Sequence, residues 1–545
     1  MATANRALPQ VIQGGMGVGV SGWQLARAVS RTGQLGVVSG TALDAVLARR
    51  LQVGDPGGDV RRALAAFPVP ELAAAVLERF YVPGGVAASE RFRTEPKLRV
   101  EKGEAAELLT VLGNFVEVWL AKEGHDGLVG INYLEKIQLG VAPGMFGAIL
   151  AGVDCVLVGA GVPGHIPDLA TRLARMEPVT VRITVDGDEE AYAYDFDPRA
   201  VLGAVARPEG EGCGGGDGHS CQCGGDGGGE AKPRGVRRVQ SVEIRSRPPE
   251  AAGTAVPAGL VDGLARPDVL AIVSLPVLAS YLARSEATRP DGFVIETHGA
   301  GGHSAPPRGA MKLDSDGDPV YGPRDFPDLA KMAALGIPFW LAGGTAHPTR
   351  LAAARAAGAA GVQVGSVFAL CEDSGMEASL RGSLKERARA GTLRVRNDPA
   401  ASPTSFPFKV AELPGTLSES DVRASRRRVC DLGYLRTPYR TEKGAIGYRC
   451  SAEPEAAYVR KGGTATDTEG RVCLCNGLLA TIGLGQKRPG GTVEPPVLTL
   501  GQDLDFLGEL SPEGEAYGAF DVVEWLLSSS SVSTSPSVST SPSGV

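Results

Sequence analysis

Two glycine-containing segments about twenty residues apart have the residue types of an anion-binding site. Gly343 and Gly344 follow the apolar run IPFWLA, and Gly365 with Ser366 follows the next apolar run, GVQV. Glycine lets backbone N–H groups approach a ligand closely, and successive free amides form a concavity that binds anions. The same glycines could serve only as tight turns. Two such segments after consecutive apolar runs favour a phosphate site.

His303 is the first candidate for acid–base chemistry, because it ends the segment AGGH after the apolar run GFVIE. Gly301 and Gly302 leave room for a ligand beside it and are candidate ligand contacts themselves. An imidazole there can take a proton from an acidic carbon or stabilise a developing anion. A structural role is equally open. His298 competes for the catalytic role, and His347, which follows AGGT, is expected near the phosphate.

Two amide side chains could contact the edge of a heterocyclic ligand. Gln13, followed by Gly14, ends the apolar run PQVIQ, and Asn132 ends LVGIN. An amide offers both a hydrogen-bond donor and an acceptor. A solvent-facing loop position is equally open for both. Lys136, in the same loop as Asn132, could face a ring or a phosphate.

Seven of the nine cysteines form two groups that could bind metal. The first group is Cys430, Cys450, Cys473 and Cys475. Its C-x-C pair differs from the usual C-x-x-C spacing, so buried thiols are favoured over a zinc or iron–sulfur site. The second group is Cys213, Cys221 and Cys223 with His219. These residues lie in a glycine-rich insert that offers no preorganised site.

The segments that carry these residues alternate between apolar runs and helical stretches. Helices are predicted at 23–31, 144–151 and 167–176, and strands at 9–15, 35–39, 128–133, 153–158, 179–185, 269–273, 293–296, 339–342 and 362–364. This alternation predicts an α/β protein and favours a TIM (β/α)8 barrel, with a doubly wound sheet as the alternative. In such barrels ligands bind at the C-terminal ends of the strands, and phosphate commonly follows strands seven and eight.

Composition divides the rest of the chain. We expect the barrel over 1–376, with a helical insertion or cap at 50–124 and a disordered glycine-rich insert at 207–234. A mixed, cysteine-containing extension follows at 377–527. The Ser/Thr/Pro-rich tail at 528–545 is expected to be disordered.

Length and charge restrict the classes of function. The 545 residues carry a net charge of −7, which argues against a nucleic-acid surface. The N-terminus shows no secretory signal, and no apolar run is long enough to span a bilayer. We therefore expect a cytoplasmic protein that acts on a small molecule, with neither nucleic acid nor membrane as a partner.

Four of these motifs together resemble the nitronate monooxygenase family, in order and spacing, over residues 9–376. They are VIQGGMG at 11–17, AGGH at 300–303, AGGT at 342–345 and GVQVGS at 361–366. The resemblance implies a TIM barrel that binds FMN non-covalently, and His303 as the catalytic base. It implies that Gln13, Gly14 and Asn132 lie near the flavin ring. The phosphate would be held by Gly343, Gly344, Gly365 and Ser366.

The activity implied by the resemblance is a flavin-dependent monooxygenase that oxidises alkyl nitronates with O₂. An alternative within the same barrel group is an FMN-dependent enoyl-thioester reductase working with a polyketide or fatty acid synthase. A non-catalytic flavin-binding scaffold is a third reading. A homodimer and, under the alternative, a megasynthase are the protein partners considered. The extension and the glycine-rich insert are foreign to compact family members.

Overall fold

The computed structural model describes residues 7–101, 103–188, 191–203, 205–208, 242–245 and 263–528. The predicted tail, apart from residue 528, lies outside the described residues. So does most of the predicted glycine-rich insert, with Cys213, Cys221, Cys223 and His219.

Eight parallel strands form one sheet, and each strand pairs with the next one along the chain. The eighth strand also pairs with the first. A parallel bridge between Ile12 and Leu35 closes the circle. This closed arrangement is the predicted TIM barrel rather than a doubly wound sheet. Its strands are Val11–Gln13, Gly36–Ser39, Val129–Leu134, Cys155–Gly159, Asp268–Val273, Gly292–Glu296, Phe339–Ala342 and Gly361–Val364.

The inside of the barrel is a packed apolar core. Ile12, Leu157, Leu270 and Val294 meet there with Trp340, whose indole N–H donates to the Pro9 carbonyl oxygen at 2.8 Å. Helices cover the outer face, so the strands are apolar on both faces and read as continuous apolar runs. A filled barrel leaves the C-terminal strand ends as the place for a ligand.

Helices surround the barrel and form much of the additional structure. The α-helices up to the fifth barrel strand are Trp23–Ser30, Leu43–Gln52, Asp59–Ala65, Pro70–Phe80, Glu104–Lys122, Gln138–Leu150, Ile166–Ala174 and Pro198–Leu202. Those beyond it are Pro276–Leu282, Leu329–Ala333, Pro348–Ala356, Ser366–Ala369, Ala378–Arg389, Ser420–Ser425, Glu455–Arg460, Leu474–Thr481, Leu507–Leu510 and Ala519–Leu527. Short 3₁₀ helices lie at Pro323–Asp325 and Thr466–Thr468.

One predicted strand lies outside the barrel. Val179–Ile183 pairs with Tyr192–Phe196 in an antiparallel hairpin that packs on the helix Gln138–Leu150. Its residues alternate between buried and exposed, as expected for a strand covered on one face only. Further antiparallel pairs join Val205–Pro208 to Val242–Arg245, Val395–Asp398 to Phe408–Ala411, and Thr437–Arg440 to Ile446–Arg449.

The segment 50–124, predicted as a helical insertion or cap, contains the helices Asp59–Ala65, Pro70–Phe80 and Glu104–Lys122 and the end of Leu43–Gln52. The long helix Glu104–Lys122 packs against Leu43–Gln52 and Gln138–Leu150. Arg49, which is fully buried, donates to Glu95 Oε1 at 3.0 Å and to the Leu484 carbonyl oxygen at 2.7 Å. This segment is therefore tied directly to the extension.

The last helix of the extension belongs to the wall of the barrel. Ala519–Leu527 packs against Trp23–Ser30 and Pro348–Ala356, the helices after the first and seventh strands. It therefore occupies the place of the eighth outer helix. Residues 370–518 run between the last strand and this helix, so the predicted barrel boundary at 376 leaves out the element that completes the barrel. No helix in the described part of the chain is long and apolar enough to cross a membrane.

Replacing Leu526 with alanine tests the role of this helix. Its side chain is 1% exposed and belongs to the same apolar cluster as Leu25 and Val29. We expect a loss of about 2–5 kcal/mol in the free energy of unfolding, measured by chemical denaturation. The neighbouring Leu527 is 38% exposed. Leu527→Ala is the matched control and should cost under about 1 kcal/mol. Equal, small losses in both variants would contradict the assignment.

Candidate active site

A cavity lies at the C-terminal ends of the barrel strands. The space between its walls is roughly 790 Å³, open solvent included. Four barrel segments line it, at 14–17, 299–302, 342–346 and 363–366, together with extension residues 499–501 and 503. The predicted residues brought together here are Gly14, Gly301, Gly302, Gly343, Gly344, Gly365 and Ser366.

The loops after strands seven and eight present unpaired amides to this cavity. Within the described residues, the backbone N–H groups of Gly343, Gly344, Thr345, Gly365 and Ser366 donate no hydrogen bond. Gly343 and Gly344 have φ values of +94° and +68°, in the left-handed region that favours glycine. Such a group of amides at adjacent strand ends has the chemistry of an anion site.

Gln363 adds a polar group that the prediction missed, although it lies in the quoted segment GVQVGS. It lines the cavity, and its Oε1 is buried without a hydrogen-bond partner among the described residues. A buried unsatisfied carbonyl oxygen is costly, so it points to a donor that a bound ligand would supply.

Gln13 and Asn132 lie behind the cavity rather than on its surface. Gln13 is fully buried; its Nε2 donates to the Gly14 carbonyl oxygen at 2.5 Å, and its Oε1 accepts from the Val37 amide at 2.9 Å. Asn132 packs against Gly15, where a Cβ would lie 2.5 Å from that of Asn132. These contacts support the cavity wall formed by Gly14 and Gly15. The predicted contacts with a flavin ring stay predictions.

His303 follows a cavity residue, but its own side chain turns toward the extension. Its Nε2 lies 2.7 Å from Ser402 Oγ, and its ring packs edge-on against Phe408 at 4.9 Å between centroids. Burial, with a smaller contribution from Lys136, lowers the pKa of His303 to about 4. The imidazole is therefore uncharged at neutral pH and able to accept a proton.

Lys136 lies close to His303 at the barrel mouth. Its Nζ lies 3.5 Å from the centroid of the Phe406 ring and 3.4 Å from the Thr404 carbonyl oxygen. Burial lowers its pKa. Extension residues 402–408 thus cover the side of the barrel mouth on which His303 and Lys136 lie.

The competing histidines make structural contacts. His298 stacks on Tyr321, with centroids 4.1 Å apart and an interplanar angle of 11°. His347 caps the helix Pro348–Ala356 by accepting from the Thr349 amide. Its Nε2 lies 2.9 Å from Glu509 Oε1. These contacts leave His303 as the histidine whose environment fits acid–base chemistry best.

A buried lysine from the extension fixes the loop that carries His303. Lys409, which has no exposed surface, donates from Nζ to the His298 carbonyl oxygen at 2.5 Å and to Ser304 Oγ at 2.9 Å. Its amide donates to the Gly302 carbonyl oxygen at 2.8 Å. Burial lowers the pKa of Lys409 to about 8. Sequence reasoning missed this residue; a charged residue inside the apolar run FPFKVA was the available signal.

Glu296 is a second ionisable group that the sequence reasoning missed. It ends the sixth strand and lines the cavity. Burial raises its pKa to about 7, and the positive charge of Lys409 acts against that rise. Near neutral pH this carboxyl group can therefore hold or release a proton at the cavity wall.

The segment 499–503 closes the cavity from the extension side. Thr499 Oγ1 accepts from the Gly302 amide at 2.8 Å, and the Gly501 amide donates to Ser366 Oγ at 2.7 Å. The barrel supplies the free amides, and the extension supplies part of the enclosure. No motif in the sequence connected these two regions.

The four cysteines of the extension come together around a small enclosed space. Within the described residues, no group of three or more His, Cys, Asp or Glu side chains is arranged to hold a metal ion. A hydrogen bond from Cys450, with Lys97 and Arg436 nearby, lowers the pKa of Cys430 to about 7 despite burial. The preference for thiols over a metal site at Cys430, Cys450, Cys473 and Cys475 stays a prediction.

Comparison with known proteins addresses the predicted resemblance. The family model for nitronate monooxygenase matches residues 234–398, a stretch that contains AGGH, AGGT and GVQVGS. The matched stretch, which is less than half of the chain, is similar to the nitronate monooxygenase family. The match confirms the resemblance predicted from the motifs and includes the strand ends that carry the free amides.

Several solved structures are similar over 96% of this chain. Nitroalkane oxidase from Streptomyces ansochromogenes is 15% identical, with 96% of that chain covered and a TM-score of 0.42. FabK from Thermotoga maritima is 14% identical, with 92% covered and a TM-score of 0.41. The enoyl reductase domain of MlnA, from the macrolactin biosynthesis cluster of Bacillus amyloliquefaciens, is 11% identical, with 94% covered and a TM-score of 0.41. The search of curated proteins found no match.

Replacing Lys409 with methionine tests whether this residue holds the loop at the site. The variant leaves the His298 carbonyl oxygen and the Ser304 hydroxyl without their donor. We expect a loss of about 1–3 kcal/mol in the free energy of unfolding, measured with denaturant. Lys331→Met is the matched control, because that side chain is 75% exposed; it should change stability by less than about 0.5 kcal/mol. Indistinguishable variants would contradict the role given to Lys409.

Proposed function

We propose that this protein is a flavin-dependent oxidoreductase that binds FMN in the barrel cavity and oxidises alkyl nitronates with O₂. The observation that carries the proposal is the group of unpaired amides after strands seven and eight, one loop away from an uncharged, partly buried histidine. The family match over residues 234–398 supports it.

The residues around the cavity fit FMN. The free amides of Gly343, Gly344, Gly365 and Ser366 would hold the phosphate. The buried Oε1 of Gln363 lacks a donor in the described chain, and a ring N–H of the cofactor would satisfy it. When bound, the flavin supplies a two-electron acceptor that O₂ can reoxidise.

His303 has the properties of a general base for a neutral nitroalkane. Its low pKa leaves the imidazole unprotonated at neutral pH, and Nε2 is the nitrogen that contacts Ser402. The acidic C–H of a substrate would take the place of the Ser402 hydroxyl at Nε2, and the proton would move from carbon to that nitrogen. A preformed nitronate has already lost this proton and needs only binding and orientation.

A test of the function begins with the purified full-length chain. We expect it to retain FMN, seen as visible flavin absorbance, and to consume O₂ when propyl-2-nitronate is added. Gly365→Val should weaken FMN retention at least about tenfold, because a Cβ there lies 3.4 Å from Met16 Sδ and the added methyl groups extend into the cavity. FMN-loaded protein without O₂ consumption would refute the nitronate activity.

Gly322→Val is the control for that substitution. A Cβ at Gly322 has nothing within 4 Å, and its φ of −119° is close to the −117° of Gly365. It should retain FMN as the unaltered protein does. Equal FMN retention by the unaltered protein, Gly365→Val and Gly322→Val would show that the flavin does not bind in the barrel cavity.

The position of Lys136 favours a second candidate, an FMN-dependent enoyl-thioester reductase. Reduction of an enoyl thioester develops negative charge on the carbonyl oxygen, and a nearby ammonium group stabilises that charge. The Lys136 ammonium contacts two neutral groups, the Phe406 ring and the Thr404 carbonyl oxygen, and the negative charge of Glu135 lies near it. NAD(P)H oxidation that depends on a crotonyl thioester, without nitronate turnover, would select this candidate.

His303→Gln should separate the two substrate forms. Turnover of a neutral nitroalkane is expected to fall by roughly 10²- to 10⁴-fold, because general-base catalysis is lost. Turnover of the preformed nitronate should change by less than about tenfold. O₂ consumption with each substrate measures both values. An equal loss with both forms would show that His303 does not remove the proton.

The pH dependence follows from the low pKa of His303. In the unaltered protein kcat/KM for the nitroalkane should fall as the pH drops through about 4, because the imidazole is then protonated. Lys136→Gln removes a positive charge that lowers this pKa, so the acidic limb should move to higher pH. Lys443→Gln, an exposed lysine in the extension, should leave the limb in place. An unmoved limb in Lys136→Gln would contradict this account.

A further inference from the structure

A second cavity lies between the helical segment after the second strand, the loop after the third strand and the extension. It encloses about 670 Å³ of space, open to solvent on one side. Three basic side chains line it, those of Lys97, Lys136 and Arg436, together with two acidic ones, Asp44 and Glu95. The balance between these charges determines what the cavity can bind.

Both carboxyl groups are already engaged. Asp44 Oδ1 accepts from the Tyr434 hydroxyl at 2.6 Å, and burial raises the pKa of Asp44 to about 6. Glu95 Oε1 accepts from the buried Arg49 at 3.0 Å. Neither group pairs with a basic side chain that lines the cavity.

The direct contacts of the basic groups are with neutral groups, although the negative charges of Asp431 and Glu135 act on Lys97 and Lys136, respectively. Lys97 Nζ lies 3.4 Å from the Cys430 carbonyl oxygen. Arg436 donates to the Gly433 carbonyl oxygen at 2.9 Å, and its guanidinium lies 4.6 Å from the centroid of the Tyr448 ring. Lys136 Nζ contacts the Phe406 ring and the Thr404 carbonyl oxygen. The positive charge of Arg436 acts unfavourably on that of Lys97, and an anion bound between them would offset this repulsion.

We propose that this cavity is a binding site for the anionic group of a small molecule, a phosphate or a carboxylate, held by Lys97, Lys136 and Arg436. Arginine and lysine together provide several charge-assisted donors for such oxygens. The organic part would contact the apolar surfaces of Leu98 and Ile137, which also line the cavity. These contacts predict a ligand with one anionic group and an apolar part, whichever reaction the barrel catalyses.

The cavity is connected to the barrel mouth through Lys136. Lys136 contacts the carbonyl oxygen of Thr404; the Thr404 hydroxyl lies 2.8 Å from Ser402 Oγ, which contacts His303. A ligand anchored by its anion would extend past Lys136 toward His303. The assignment of this ligand as the substrate rests on the proposed function, but the anion site itself does not.

Calorimetric titration of the full-length chain tests the site. The protein is first saturated with FMN, so that the barrel amides are occupied, and is then titrated with inorganic phosphate or, separately, with acetate. We expect saturable binding of at least one anion. The anion that binds more tightly shows whether the site prefers a phosphate or a carboxylate group. Lys97→Gln should weaken it at least about tenfold, as expected for the loss of one charge-assisted hydrogen bond.

Three matched variants make the result specific. Lys136→Gln should also weaken anion binding, while Lys97→Arg, which keeps the charge, should retain it. Lys443→Gln removes the same charge from an exposed position and should bind as the unaltered protein does. Absence of saturable binding in the unaltered protein would overturn the proposal. So would equal binding by Lys97→Gln and Lys443→Gln.

A competing explanation is that the basic groups serve as counter-ions for a Cys430 thiolate. Cys430→Ser removes that anion, so an anion-binding cavity should still bind phosphate or acetate in this variant. Loss of binding in Cys430→Ser would overturn the proposal. If the protein does not retain FMN, the proposed function fails, but the difference between Lys97→Gln and Lys443→Gln can still be measured in flavin-free protein.

Discussion

The buried ammonium group of Lys409 is the interaction on which the arrangement of the site depends. A lysine without solvent exposure must have its donors satisfied within the protein. Here the partners are the carbonyl oxygen of His298 and the hydroxyl of Ser304, at the two ends of the loop that contains His303. The extension therefore determines the conformation of a barrel loop. Barrel and extension form one functional structure, although only the barrel carries recognisable motifs.

This dependence accounts for the position of the last helix. Because Ala519–Leu527 packs in the barrel wall, the long segment before it is held at its C-terminal end as well as through its contacts with barrel loops. Packing at both ends restricts the extension and keeps 402–409 and 499–503 over the strand ends. Thr499 and Gly501 then contact the loops of Gly302 and Ser366.

The barrel could be predicted from local patterns, and the surroundings of the site could not. Apolar runs that end in glycine mark buried parallel strands, and the free amides of Gly343 and Gly365 follow from that pattern. Lys409 reaches its partners across more than a hundred residues of chain, with no local signal beyond a charge in an apolar run. Gln13 shows how a local pattern leaves a role open: an amide at a strand end suggests a ligand contact, which stays a prediction, while its Oε1 accepts from the Val37 amide of the second strand.

The charges around the barrel mouth are divided between two sides. On the cavity side the pKa of Glu296 is raised to about 7 and that of Lys409 is lowered to about 8. Both groups can therefore change their protonation state near neutral pH. On the side of the second cavity, the direct contacts of Lys97 and Lys136 are with neutral groups, and Asp431 and Glu135 compensate their charges only from a distance. Because partly buried positive charge favours negative charge nearby, the mouth is suited to a substrate that is an anion or becomes one. Both the nitronate and the enoyl-thioester reactions have this property, so the electrostatics support a common site chemistry, and substrate shape must distinguish the two.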